Sequence, residues 1–278
     1  MKRNTTLWLV ALVVTIVAAY YQRVTGPTYA MTGKIQLDGR DIQYRLLRSH
    51  GGESNAPVVI QTSDSTILGF VEWKRIRTED RWTKSTMRFH DGTLESELPH
   101  QPPAGKLEYR VTLVRGNEAA IIPAEEPLVI RFKGDVPAAI LIAHILAMFG
   151  SMLLAARAGL EYFSETSNLK TLTLWTIILL FTGGFILGPF VQKYAFGAWW
   201  TGWPFGGDLT DNKTAVALVV WLVAAIALTK SKSPKTWALV AAIVMFVVYL
   251  VPHSLLGSEL DYKTLDQQNA KVDSTIKH

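Results

Sequence analysis

The sequence predicts an α+β membrane protein in which an extracytoplasmic β-sandwich is inserted between a first transmembrane helix and four further ones. Three observations predict it. Five apolar runs are long enough, or nearly long enough, to cross a bilayer. Between the first and second of them lies a stretch of alternating apolar and polar residues cut by turn signals. Basic residues gather in the N-terminus and in two of the links between runs.

The first run, "LWLVALVVTIVAAYY" (7–21), follows Lys2 and Arg3 and is predicted as an N-terminal membrane segment, residues 1–22, either a retained anchor or a cleavable signal. Tyr20-Tyr21-Gln22-Arg23 suits an interfacial belt better than a cleavage site, which favours the anchor. The later runs are "VPAAILIAHILAMFGSMLLAA" (136–156), "TLTLWTIILLFTGGFILGPFV" (171–191), "NKTAVALVVWLVAAIALT" (212–229) and "TWALVAAIVMFVVYLVP" (236–252). A helix needs about 20 residues to cross roughly 30 Å of hydrocarbon. The last two runs are short by that measure, and Trp, Tyr and Lys at their ends complete the span in the interface. A four-helix transmembrane domain over 136–256 results, with a loop at 192–212 and a polar tail at 257–278.

The net charge is +5, from 28 Lys and Arg against 23 Asp and Glu. The basic residues flank the apolar runs and form no single patch, so topology explains them and nucleic acid does not. Lys2 and Arg3, Arg157 and Lys170, and Lys230, Lys232 and Lys235 fall on the cytoplasmic side under the positive-inside rule. The N-terminus is then cytoplasmic, while residues 22–135, the 192–212 loop and the C-terminal tail are extracytoplasmic. The expected location is a cell membrane, inner or plasma, with lipid as the first partner. The chain has no cysteine, which excludes disulfides, thiolate metal sites and covalently attached c-type haem.

Residues 28–135 read as short strands: "GKIQLDG", "IQYRLL", "APVVIQT", "GFVEWKRI", "KLEYRVTLV" and "PLVIRFKG", separated by Gly, Pro, Asn and Asp. Period-two alternation with frequent turn signals predicts a sandwich of about seven strands. His50, His90 and His100 fall in expected turns. Arg131, Lys133 and Asp135, just before Pro137 opens the next helix, are expected at headgroup level.

Within this stretch "VEWKRIRTEDRWTKSTM" followed by "GTLESELPHQPPAGKLEYRVTL" resembles the latter half of fibronectin type III or immunoglobulin-like modules, over about residues 70–115. The resemblance implies a core aromatic at Trp73, a strand closed at Leu98-Pro99 and a central-strand tyrosine at Tyr109. Such modules bind or space and carry no reaction of their own, so it implies a protein or polymer partner outside the membrane.

The loop "FGAWWTGWPFGGDLTDNKT" (196–214) holds three tryptophans, four glycines and two aspartates. Trp199, Trp200 and Trp203 suit an interfacial depth, and the glycines with Pro204 imply a folded re-entrant turn. Asp208 or Asp211 serves as the cap of the following helix, leaving a second carboxylate and Asn212 beside it. His144 is the titratable residue well inside an apolar run, and intramembrane ionisable groups mark functional candidates. His144, His253, Asp208, Asp211 and Glu259 all map to the outer half of the bundle. Two imidazoles with carboxylates suit a divalent metal such as zinc, copper(II), iron or manganese, and suit a proton relay equally; haem b fits less well because the two histidines lie at different depths.

Three functions follow from these residues. The first is a non-enzymatic membrane protein with an outer binding or assembly module, an outer-leaflet polar pocket and helix faces available for oligomer formation. The second is a metal- or haem-binding protein in electron transfer, metal handling or respiratory-complex assembly. The third is an enzyme using the outer loop, for which the sequence carries no nucleophile elbow, zinc-protease motif, P-loop or dinucleotide fingerprint.

Overall fold

A computed structural model describes residues 3–165, 168–252 and 257–276, and the chain divides into two compact units. One is helical, Met1–Pro27 with Val136–Ser258; the other is strand-rich, Thr28–Asp135 with Glu259–His278.

The strand-rich unit is built from β1 (Met31–Leu37), β2 (Arg40–Leu46), β3 (Ser49–Gly51), β4 (Ala56–Gln61), β5 (Leu68–Arg75), β6 (Thr83–Thr86), β7 (Arg88–His90), β8 (Thr93–Leu98), β9 (Lys106–Arg115), β10 (Glu118–Ile122) and β11 (Leu128–Lys133). One sheet runs β1-β2-β4-β8-β7 and the other β3-β11-β9-β5-β6, with β10 on β9. Neighbours are antiparallel except β3 with β11. Asp38-Gly39 turns β1 into β2 with φ of 50° and 71°, and Asp91-Gly92 turns β7 into β8 with 44° and 81°. Both are the left-handed pair that a tight hairpin requires, which is why Asp-Gly stands at each.

Alternation decides the core. Ala56, Val58 and Ile60 on β4 and Leu107, Val111 and Leu113 on β9 are buried, and the inward residues of both sheets join one apolar cluster. Tyr109 lies in it on β9, its hydroxyl donating to the Leu47 carbonyl at 2.7 Å. Trp73, on β5, packs half-buried against the cluster, and Leu98 ends β8.

The chain forms more strands than its alternation predicts, because β3, β6 and β7 are only three or four residues long and carry no buried apolar side chain. His50 and His90 consequently lie on strands β3 and β7 and not in turns. His50 and His100 set their rings edge-on to Phe132, at 5.9 and 6.0 Å. Arg131 departs from expectation too: it is buried within the strand-rich unit.

The polar tail belongs to this unit. Leu260 N–H donates to the Ala104 carbonyl at 3.1 Å, and helix α7 (Tyr262–Ile276) follows, capped by Asp261, which accepts from the Thr264 hydroxyl at 2.6 Å and the Lys263 N–H at 3.0 Å. These bonds hold the Asp261 carboxyl below its usual range. Tyr262 is only 3% exposed, and its hydroxyl meets the Lys106 N–H and Gln101 Oε1, each at 3.0 Å. Burial pushes this phenol up to about 12, so it stays protonated and able to donate. Arg75 binds Asp80 at 2.6 and 3.1 Å and Asp266 at 2.8 and 2.9 Å, stacked over the Tyr262 ring at 5.0 Å.

The helical unit comprises α1 (Arg3–Thr25), α2 (Ala138–Gly159) ending in a tight turn at Leu160–Phe163, α3 (Leu169–Phe181), a π-helical segment (Thr182–Leu187) continuing into α4 (Gly188–Phe196), α5 (Leu209–Lys230) and α6 (Pro234–Leu250). Among the described residues four stretches are long and apolar enough to cross a membrane: Arg3–Thr25, Ala138–Phe163, Leu169–Phe196 and Leu209–Lys230; α6, of 17 residues, is shorter. Small residues let the helices approach closely. A Cβ on Gly159 would lie 2.7 Å from that of Ala242, and Trp221 is fully enclosed with its indole N–H on Met245 Sδ at 3.1 Å.

At one end of this unit the predicted cytoplasmic flanks meet. Arg3 pairs with Glu165 at 2.7 Å, and Lys235 donates to the Ser164 carbonyl at 2.5 Å. Arg157, expected as a flanking charge, is instead buried: it pairs with Glu161 at 2.7 Å, donates to Asn4 at 2.7 Å and lies over the Trp8 ring at 5.6 Å. Glu161, one turn on, makes that burial possible.

Candidate functional site

The opposite end of the helical unit carries the Trp-rich loop, and its construction explains the doubled carboxylate. Asp208 is the N-cap of α5, accepting from the Thr210 N–H at 2.8 Å. It is only 7% exposed, and its second oxygen takes the Ser258 N–H at 3.1 Å and the Thr201 hydroxyl at 3.2 Å. Asp211, one turn into α5, accepts from the main-chain N–H groups of Thr201 and Gly202 at 2.7 and 2.9 Å. Asn212 accepts from the Trp203 N–H at 2.7 Å. Three consecutive loop N–H groups are thus bound by two consecutive side chains of the helix that the loop precedes. Gly202 is required there, because a Cβ would lie 2.6 Å from Asp211 Cβ.

The aromatics divide by role. Trp200 stacks on Phe185 at 5.6 Å and its indole donates to the Trp203 carbonyl at 3.2 Å, while Trp199 sits edge-on to Phe190 at 5.1 Å. Trp203 and Phe205 stand out, 78% and 82% exposed.

Beneath the loop is a cavity of about 150 Å³ whose lining includes His144 and Met148 from α2, Gly184 and Gly188 of the π-helical segment and α4, Gln192, and Asp208, Asp211 and Thr214. The π-helical segment positions its wall: Gly183 presents its carbonyl to His144 Nδ1 at 2.9 Å, and Gly184 packs directly against Thr214, leaving no room for a Cβ. Wide helical turns of this kind recur at functional sites. A carbonyl only accepts, so Nδ1 of a neutral His144 carries the proton and Nε2 is a bare acceptor. Gln192 braces the loop from α4, donating to the Thr201 hydroxyl at 2.6 Å.

The predicted set is therefore divided. His144, Asp208 and Asp211 line one cavity. Glu259 lies in the strand-rich unit, where Lys106 at 2.8 Å and Arg77 at 3.4 Å neutralise it, and this ion pairing removes it from the expected ligand set. His253 lies outside the described residues. Among the described residues no three His, Asp or Glu side chains form a group able to hold a metal ion. Sequence reasoning missed Gln192, Thr201, Thr214 and Ser258. For Gln192 a signal existed, a lone amide at the end of an apolar run; for the three hydroxyl residues none did.

No known protein family, curated protein sequence or solved structure matches the chain.

Proposed function

We propose that the chain is a multi-pass membrane protein that acts by binding and not by catalysis. In this reading the roofed polar pocket of the helical unit takes a small ligand near the outer leaflet, and the strand-rich unit, an immunoglobulin-like sandwich, meets a protein or polymer partner outside. The observation that carries it is the use of the pocket carboxylates. Both are occupied with main-chain N–H groups, Asp208 with Thr210 and Ser258 and Asp211 with Thr201 and Gly202, so they hold the roof and are poorly placed to exchange protons with a substrate.

Connectivity supports the topology. Residues 28–135 and the tail from 259 form one compact unit, and such a unit lies on one side of a bilayer. The intervening chain must cross an even number of times, which the three long stretches after α1 satisfy only if α6 crosses as well. Clustering of Arg3, Arg157 and Lys235 at one end of the helical unit supports reading that end as cytoplasmic.

Thermal unfolding of the detergent-purified protein against panels of small cationic, neutral and anionic molecules tests the binding reading. At least one class raises the unfolding midpoint of the wild type and fails to raise that of Gly188→Leu, which fills the cavity wall. If no class does so, the pocket is only a packing defect. Elemental analysis and a visible spectrum accompany it, and a stoichiometric metal or Soret band lost in His144→Ala would return the metal or haem reading to first place.

A further inference from the structure

The pocket's hydrogen-bonding groups are sorted by kind. Three of its donor side chains are spent on the protein: His144 Nδ1 on the Gly183 carbonyl at 2.9 Å, the Gln192 amide on the Thr201 and Ser258 hydroxyls at 2.6 and 3.5 Å, and the Thr214 hydroxyl on the Thr210 carbonyl at 2.8 Å. What remains for a ligand is acceptor capacity: His144 Nε2, the hydroxyl lone pairs, and the lone pairs of the Asp208 and Asp211 carboxylates that their bonds to the loop and to the helix start do not use. Among the described residues no lysine or arginine lines the cavity. Lys213, the adjacent cation on α5, donates to the Val251 carbonyl at 2.6 Å.

A cavity walled by acceptors and two carboxylates selects a positively charged ligand rich in donors. Hard alkali cations prefer all-oxygen shells, and an imidazole nitrogen is a poor member of one. An N–H donor suits that nitrogen. Volume sets the size, since a water's share of the liquid is about 30 Å³ and the cavity of about 150 Å³ holds about five such groups. Resting on the binding reading above, we propose that this pocket binds a small primary ammonium cation, its N–H groups shared between His144 Nε2 and the Asp208 and Asp211 carboxylates and its short apolar end against Met148.

The test is the unfolding midpoint of the full-length protein at constant ionic strength in methylammonium, tetramethylammonium or sodium chloride, with acetamide as a neutral donor. Tetramethylammonium keeps the charge and removes every N–H. Methylammonium raises the midpoint by about 3 °C at saturating concentration, sodium and tetramethylammonium leave it unmoved, and Thr214→Val and His144→Leu each reduce the shift. Thr214→Val is nearly isosteric and keeps the test decisive if His144→Leu does not fold. An equal shift with tetramethylammonium, or full retention of the shift in every variant that folds, overturns the assignment. A shift with acetamide and none with methylammonium also overturns it while leaving a binding pocket in place, whereas no shift with any probe removes the pocket reading as well.

Discussion

The two units treat polar side chains in opposite ways. In the strand-rich unit charged groups form pairs that keep some contact with water, such as Lys74 with Glu108, 27% and 26% exposed. In the helical unit charged and polar groups are few between the ends of the bundle, and several are enclosed: Arg157 and Glu161 at one end, Asp208 and Gln192 at the other. Burial of such groups is costly without partners, so a polar residue in the helical unit carries information that the same residue on a strand does not. The strand-rich unit departs from its own pattern at the buried Arg131 and at the clasp where Tyr262 and Asp266 seat the tail against Arg75 and Lys106.

The largest effect expected from this contrast is at Arg157. Arg157→Ala leaves Glu161 buried and uncompensated and costs about 3–5 kcal/mol; combining Arg157→Met with Glu161→Leu recovers most of it, measured as unfolding in detergent. A loss under about 1 kcal/mol would mean that water reaches the pair. Tyr262→Ala removes the one aromatic anchor of the clasp, a change worth about 3 kcal/mol for a buried ring. Limited proteolysis then cuts the tail while the strands stay protected, and equal protection of the tail would show that the ion pairs suffice.

Next is the loop. Asn212→Ala strips the acceptor from the Trp203 N–H and costs about 1 kcal/mol, read most sensitively as faster amide exchange across 201–203. At the rim, Glu108→Ala costs at most about 1 kcal/mol, as exposed pairs do.

The smallest effect is of pH on the clasp. Asp80 is held below its usual range first by its hydrogen bonds to Arg75, and Asp261 by the Thr264 hydroxyl. A depressed carboxyl stabilises the fold above its unfolded value of about 3.9 and loses that contribution as pH falls through the lower folded value. The tail therefore loosens below about pH 4 and is indifferent to pH between about 5 and 8.

Much of this architecture is legible in the sequence because it rests on period. The long apolar runs gave the helices, and six alternating stretches gave β1, β2, β4, β5, β9 and β11. His144 was legible because so little else inside those runs is polar, and Asp208 and Asp211 because one cap needs only one carboxylate. What is hidden depends on partners distant in sequence. Arg157 looks like any flanking charge until Asn4 and Trp8 close over it. Asp211 looks like a spare cap until the loop folds back onto it. Docking of "ELDYKTLD" has no periodic signature, since one tyrosine and three charge pairs do the work.

The topology is most directly tested by cysteine labelling, for which the native chain has no background. Asp91→Cys in the strand-rich unit, Gln268→Cys in the tail and Lys232→Cys between α5 and α6 are each exposed positions. With a membrane-impermeant maleimide on intact cells, Asp91→Cys and Gln268→Cys label and Lys232→Cys labels only after permeabilisation. Labelling of Asp91→Cys and Gln268→Cys from opposite sides, or of Lys232→Cys from outside, would contradict the proposed topology, in which the strand-rich unit shares the outer side with its own tail and the link between α5 and α6 is cytoplasmic.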